Sequence, residues 1–393
     1  MCPPSRTGAG GRKNRNAILA HVQQAQGVSR IVVGLSGGID SSVTALLLKE
    51  RGYEVIGVTL RLQACGDHTA GGQQKVCCGP DPADMAGAVA AQLGIRHYVI
   101  DCRERFERDV LVPCWADFES GATPNPCVRC NAGVRFDAML AFGRKLGAGQ
   151  VATGHYARLE LDGQNRPLLV RGVDPDKDQT YFLYAVAPET LRHVCFPLGG
   201  MTKPEVRAIA QAHGLVNAGA AESQDVCFAG PEGHFAEFLR QQFNGRATPG
   251  VFVDEAGRVL GWHSGIHQFT VGQRRGLGFA AGERMKVVSV DPATGTIIVS
   301  GRPGAAFSAM CRAEEFCWHR EPLKPGDRAM AQVRYRQKAV GAAVETVGEG
   351  GRTLRVLFDE PVFGVTPGQS LVLYDGDLVL GGGRIARIEK DGL

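Results

Sequence analysis

The run Gly34-Leu-Ser-Gly-Gly-Ile-Asp-Ser-Ser42 decides the fold. It follows Ile31-Val-Val-Gly-Leu35, an all-apolar stretch that reads as a short buried strand. It leads into Ser41–Glu50, where Val43, Leu46, Leu47 and Leu48 recur on a helical period, and Gly52 stands where such a helix would stop. A glycine-rich turn between a strand and a helix suits anions. Gly37 and Gly38 let backbone approach oxygen atoms closely, and the amides of a helix N-terminus carry partial positive charge. Ser36, Ser41 and Ser42 add hydroxyl donors. Asp40 has the wrong sign for a bare phosphate, which implies Mg2+ or a role in orienting amides. The pattern is not that of the P-loop, since no Gly-Lys-Ser/Thr closes it.

Outward from this loop, Glu54–Leu60, Arg96–Asp101 and Gln150–Gly154 read as strands, with Pro82–Leu93 and Val134–Leu146 as helices. Strands alternating with helices predict an α/β N-terminal domain with a parallel sheet. Ligands of such sheets bind at the carboxyl ends of the strands, where Ser36–Asp40 and Gly154–His155 would lie. The texture changes after about residue 220. His234–Phe243 reads as one more helix, and short alternating runs follow at Gly250–Val253, Val259–Trp262, Lys286–Val290 and Thr296–Ser300. Asp291-Pro-Ala-Thr-Gly295 would join the last two as a hairpin. Ala329–Arg336, Ala339–Val347, Thr353–Phe358 and Ser370–Tyr374 continue the pattern. The expected organisation is a flexible leader (1–28), the α/β catalytic domain (29–220), a central β-rich domain (221–306) and a C-terminal β-barrel-like domain (307–393).

A chain of 393 residues exceeds one small core, in keeping with that division. A net charge of +4 is too small to establish a nucleic-acid partner by itself. No apolar run approaches a membrane span, and Met1–Asn16 lacks the apolar core of a secretory signal. Twelve cysteines without such a signal do not read as a disulfide scaffold, so a reducing, cytoplasmic setting is expected. Most of these thiols would be small buried hydrophobes, with some reactive.

Two cysteine segments carry chemistry. Thr123-Pro-Asn-Pro-Cys-Val-Arg-Cys-Asn131 presents two thiols three residues apart on a proline-stiffened loop, and Glu222-Ser-Gln-Asp-Val-Cys-Phe228 presents another. The Ser-Gly-Gly-x-Asp-Ser run resembles the pyrophosphate loop of ATP pyrophosphatases, which cleave ATP between its α and β phosphates and adenylate a substrate oxygen. The cysteine segments resemble those of the tRNA-specific 2-thiouridylases. So do Thr153-Gly-His-Tyr-Ala-Arg158, Lys177-Asp-Gln-Thr-Tyr-Phe-Leu183, Phe269-Thr-Val-Gly-Gln-Arg-Arg-Gly-Leu-Gly278, Val333-Arg-Tyr-Arg-Gln337 and Thr366-Pro-Gly-Gln-Ser370. The matches run in family order from about residue 30 to 385.

The resemblance implies ATP-dependent 2-thiolation of the wobble uridine of tRNA: adenylation of the C2 oxygen, then sulfur transfer from a cysteine persulfide. It implies that ATP is held by Gly34, Leu35, Ser36, Gly37, Gly38, Ile39, Asp40, Ser41, Leu60 and Gly154. Cys227 would carry the persulfide, received from a cysteine desulfurase or sulfur carrier protein. Cys130 would be the partner nucleophile, through a transient Cys130–Cys227 disulfide. Asn125, Pro126 and Cys127 would line the flipped target base. His155, Lys177, Asp178, Gln179, Arg334, Tyr335 and Gln369 would contact tRNA. Arg334-Tyr-Arg336 suits RNA in its own right, although on a strand Arg334 and Arg336 would share one charged face.

One departure from the family pattern stands out. Some relatives have an acidic residue after the Asn-Pro pair where this chain has Cys127, so proton transfer is unassigned, with His155 or a water as candidates. Other readings remain open. Cys127 and Cys130 with Cys77, Cys78 and Cys227 suggest an iron–sulfur cluster or zinc, and the spacing favours neither. A pyrophosphatase-loop ligase for a small substrate, or a non-catalytic nucleotide- and RNA-binding protein, would leave the cysteine segments idle.

Overall fold

The computed structural model describes residues 29–63, 82–220, 235–280 and 282–387. In chain order these form β1 (Arg30–Gly34), α1 (Ile39–Glu50), β2 (Glu54–Arg61), α2 (Pro82–Leu93) and β3 (Arg96–Asp101). Next come α3 (Val112–Glu119), α4 (Pro126–Cys130), α5 (Phe136–Lys145), β4 (Gln150–Ala152), β5 (Ala157–Leu161), β6 (Pro167–Arg171), β7 (Val194–Cys195), α6 (Lys203–Ala212) and α7 (Phe235–Gln242). The remainder is β: β8 (Gly250–Val253), β9 (Val259–His263), β10 (Lys286–Asp291), β11 (Thr296–Ser300), β12 (Phe307–Trp318), β13 (Arg328–Gln332), β14 (Val340–Val347), β15 (Leu354–Phe363), β16 (Ser370–Asp375) and β17 (Leu378–Ile385).

The chain divides into two compact units. One contains the described residues up to Cys102, with Arg135–Thr180 and 188–220; the other contains Arg103–Val134, Tyr181–Ala187 and 235–387. In the first unit five parallel strands lie in the order β3-β2-β1-β4-β7. Ile31, Val32 and Val33 are fully buried, as expected of a central parallel strand covered on both faces. Each such side chain contributes about 1.5–3 kcal/mol by leaving water. The chain leaves β1 toward β2 and later returns on the opposite side as β4. The loops after β1 and β4 therefore flank the topological switch point, where open α/β sheets bind ligands.

In the second unit β8 to β11 form a four-stranded sheet in the order β10-β11-β8-β9. Strands β12 to β17 form a separate ring. Its order is β12-β15-β14-β13-β16-β17, and β12 also pairs with β17, which closes a six-stranded barrel. Cys311, Ala313, Leu354, Val356, Leu371 and Leu373 fill its interior.

Most of the expected strands and helices are present. The expected strand Ala329–Arg336 is shorter: it is present as β13, which ends at Gln332, and 334–337 is a turn in which the Gln337 amide donates to the Arg334 carbonyl at 3.2 Å. Arg336 takes a φ of +62°, which breaks the strand geometry, so Arg334 and Arg336 do not share a strand face. The helix expected over Val134–Leu146 is α5, entered through a wider π-helical turn at Asn131–Arg135. The expected leader and the Glu222–Phe228 segment lie outside the described residues.

Gly154 fixes the fit between the two loops at the switch point. A Cβ there would lie 2.9 Å from the Asp40 carbonyl carbon and 3.0 Å from the Ser41 nitrogen, both backbone atoms that cannot swing aside. Gly154→Ala is expected to cost about 1–3 kcal/mol of stability through overpacking. Denaturant melts check this, and a wild-type midpoint would contradict the packing described.

Candidate active site

The loop after β1 is held by its own hydroxyls. Gly37 has a φ of +76°, and the serines of the loop tie its ends together. Ser41 Oγ donates to the Gly38 carbonyl at 2.9 Å, and Ser42 Oγ donates to the same oxygen at 3.1 Å. The Ser36 amide donates to Ser41 Oγ at 3.2 Å. Ser41 and Ser42 are buried and direct their hydroxyls into the loop, whereas Ser36 remains exposed. Asn217 braces the loop from outside, its Nδ2 donating to the Gly37 carbonyl at 2.7 Å and to Ser42 Oγ at 2.9 Å. Thr59 Oγ1 donates to the Leu35 carbonyl at 2.8 Å, which ties the loop's entry to β2 beside half-buried Leu60.

Asp40 does not face solvent alone. Lys203 Nζ donates to both of its carboxylate oxygens at 2.7 Å, and the Tyr156 hydroxyl donates to Oδ1 at 2.8 Å. Lys203 opens α6, whose start is fixed by a capping box: the Thr202 amide donates to Glu205 Oε2 at 2.8 Å. The Lys203 amide donates to Asp174 Oδ2 at 2.8 Å, which sets the direction of the side chain. Sequence reading reaches neither Lys203 nor Asn217. The signal for the former was Thr202-Lys-Pro-Glu205, a readable helix start; its meeting with Asp40 was not readable.

Several residues expected against tRNA have structural work. His155 is buried between the rings of Phe136 and Phe196. Arg135 Nη1 lies 3.3 Å from its Nε2 and Thr153 Oγ1 lies 2.7 Å from its Nδ1, so arginine donates to Nε2 and Nδ1–H donates to the threonine. Burial, aided by the Arg135 charge, lowers its pKa from 6.5 to about 3. The ring is thus neutral, with both nitrogens engaged by its neighbours. Asp178 is buried too: its carboxylate accepts from Arg171 Nη1 and Thr180 Oγ1 at 2.8 Å and from the Gly172 amide at 3.0 Å. Gln179 Oε1 accepts from the Tyr156 amide at 3.0 Å, while Lys177 is partly exposed beside them.

In the second unit the cysteine loop is clamped from several sides. Asn125 caps α4, its side chain accepting from the Val128 amide, with Pro126 at the first helical position. Cys130 ends this helix and is buried, whereas Cys127 is half-buried. Between them Arg129 Nη2 reaches Asp117 Oδ2 at 3.1 Å, and Arg384 of β17 binds the other oxygen of Asp117. Gln369, expected at the RNA, donates to the carbonyls of Thr123 and Pro124 at 2.9 and 3.2 Å. Gly368, at φ +88°, lies so close to Thr123 that a Cβ would meet its backbone at 2.8 Å. Arg334 donates to the Val271 carbonyl at 3.2 Å, and Tyr335 packs on Phe182 at 4.4 Å between centroids. Exposed Arg336 stands over the Tyr335 ring. Burial pushes the pKa of the nearby Cys114 thiol up to about 12. Cys227, Cys77 and Cys78 lie outside the described residues, and no cluster of three or more metal-ligating side chains occurs among the described residues.

A braced glycine-rich loop at the switch point of a parallel sheet, followed by a small sheet and a closed barrel, defines the class: an open-sheet α/β domain joined to two β-rich modules. Family models match in the same order. Residues 29–231 match a tRNA methyl transferase HUP domain, 236–301 a tRNA methyl transferase PRC-barrel domain and 308–385 an aminomethyltransferase β-barrel domain. The chain is 44% identical over 365 residues to the tRNA-specific 2-thiouridylase MnmA of Geobacter metallireducens, covering 92% of this chain and 98% of that protein. The like-named protein of a Roseiflexus species is 43% identical over 379 residues, covering 92% and 100% of the two chains. The chain belongs to the tRNA-specific 2-thiouridylase family. A solved NMN synthetase from Francisella tularensis aligns with a TM-score of 0.35 at 15% identity over 61% of this chain and 86% of that one, too weak a likeness to bear on function.

The buried neutral His155 makes stability depend on pH. Its folded pKa is below the unfolded value of 6.5, so the unfolded chain binds the extra proton first. Its contribution is complete above pH 6.5 and is lost as pH falls toward 3. The slope is at most about 1.4 kcal/mol per pH unit. Urea melts between pH 7 and 5 should show His155→Gln losing stability less steeply than the wild type; parallel curves would contradict this.

Proposed function

We propose that this chain uses ATP to replace the C2 oxygen of the tRNA wobble uridine with sulfur. What carries the reading is the 44% identity to a 2-thiouridylase over 92% of this chain, together with a glycine-rich loop at the sheet's switch point. A uracil carbonyl is a poor electrophile with a poor leaving group. Attack of its oxygen on the α-phosphorus expels pyrophosphate and leaves AMP on that oxygen, so that C2 becomes open to a sulfur nucleophile.

Loop amides and the α1 N-terminus would hold the phosphates, with Leu60 beside the base of ATP. One carboxylate plus phosphate oxygens suits Mg2+, so Asp40 is the residue that would hold the ion arriving with ATP once Lys203 yields. The persulfide on Cys227 would supply sulfur. Either its terminal sulfur attacks C2 directly, or Cys130 first releases it. In both routes AMP leaves, Cys130 thiolate attacks the Cys227 sulfur, and a Cys130–Cys227 disulfide remains for an external thiol to reduce. Asn125, Pro126 and Cys127 would border the flipped base. Lys177, Tyr335 and Arg336 offer the charge and the aromatic face for RNA, while Asp178, Gln179, Gln369, His155 and Arg334 support the surfaces that carry them.

Sulfur incorporation into unmodified tRNA tests the reading, with ATP and a persulfide source. Cys227→Ser should abolish transfer, Cys130→Ser should reduce it by about 100-fold or more, and both should still bind ATP. Full transfer by either variant would remove the assigned roles.

A further inference from the structure

A lysine from a distant helix sits on the carboxylate of a loop built for phosphate. Within Gly34–Ser42 there is no Lys or Arg, and the hydroxyls of Ser41 and Ser42 are directed at the Gly38 carbonyl. The loop thus has amides and Ser36 to offer a polyphosphate, with no side-chain cation of its own. Lys203 brings one, from 163 positions downstream. Its side chain is 9% exposed, its amide is fixed by Asp174, and its ammonium lies 2.7 Å from both Asp40 oxygens. Asp40 itself is 33% exposed, so the pair stands at the mouth of the loop.

We propose that Lys203 is a substrate-contacting residue that exchanges partners: it neutralises Asp40 in the geometry seen here and turns onto the pyrophosphate portion of ATP when nucleotide binds. An ammonium on a four-carbon stem is suited to this, since small rotations move a compact charge without rebuilding the backbone. The Tyr156 hydroxyl keeps its bond to Asp40 Oδ1 meanwhile and holds the carboxylate in place. The charge that the P-loop carries within its own sequence is here supplied in space by the start of α6. This rests on the reading of Gly34–Ser42 as an ATP site and assigns that site its missing cation.

The test is a double-mutant cycle on the full-length protein, with inorganic pyrophosphate as the probe in calorimetry without added metal. Lys203→Met should weaken pyrophosphate binding by about tenfold or more, as expected for loss of a charge-assisted contact. Asp40→Asn should bind as well as the wild type or better. The decisive variant combines them. If lysine meets pyrophosphate, Asp40→Asn/Lys203→Met stays about tenfold weaker than Asp40→Asn alone. If lysine only neutralises the carboxylate, the double variant binds as tightly as Asp40→Asn, and the proposal is overturned. Lys203→Gln, which keeps length and polarity, replaces Met should the latter not fold, with melting curves as the check. Lys203→Arg should recover part of the loss. Wild-type protein that binds neither ATP nor pyrophosphate would overturn the loop reading and this proposal together; ATP binding with the tight double variant overturns this proposal alone.

Discussion

A carboxylate placed inside the glycine-rich turn after β1 is the constraint around which the first unit is built. Asp40 lies in the first turn of α1, where an unpaired carboxylate would neutralise the positive potential of the amides and helix dipole. The chain meets this with Lys203, set by the capping box of α6 and by Asp174, and with the Tyr156 hydroxyl. Gly154 allows the loop after β4 to lie against Asp40 and Ser41, and Asn217 closes the far side. Elements separated by more than a hundred residues in sequence converge on one turn, through backbone packing at Gly154 and through charge-assisted or part-buried hydrogen bonds from Lys203, Tyr156 and Asn217.

The cysteine loop of the second unit has a comparable economy of form. Its proline-stiffened approach is pinned by Gln369, by the close backbone of Gly368 and by the Thr123–Thr270 hydroxyl contact. Asp117 links Arg129, between the two thiols, to Arg384 of the barrel. Asn131 Nδ2 donates to the Phe182 carbonyl at 3.0 Å, and Tyr181 bonds the backbone of Val333 and Ser370. Motifs scattered along the sequence therefore act as one bracket around Thr123–Asn131.

The parallel sheet was legible because a strand such as Ile31-Val-Val and a following glycine-rich turn are local signals, and the hairpin at Asp291–Gly295 was legible for the same reason. Residues 103–119 and the strands β5, β6, β12 and β17 were not read. Helix or strand there is set by packing: β17 carries Gly381, Gly382 and Gly383, which a sequence reading takes for a loop, yet each lies against barrel or aromatic atoms that would exclude a Cβ. At the site, loop residues were readable from composition and position. The jobs of His155, Asp178 and Gln369 were not, because a motif shows that a residue matters without showing whether it touches the ligand or its neighbours. Lys203 escaped since an ion pair across 163 positions leaves no local trace.

The placement of Lys203 carries a thermodynamic consequence for α6. A cation in the first turn of a helix opposes the positive end of the backbone dipole, an effect of about 0.3–1 kcal/mol near a surface. Judged as an isolated segment, α6 would be better served by an acid or a neutral residue at that position. The helix is thus folded slightly against its own interest, held by a carboxylate elsewhere in the unit. Sequence optimisation aimed at helix stability alone would remove the one charge that the turn after β1 does not carry itself.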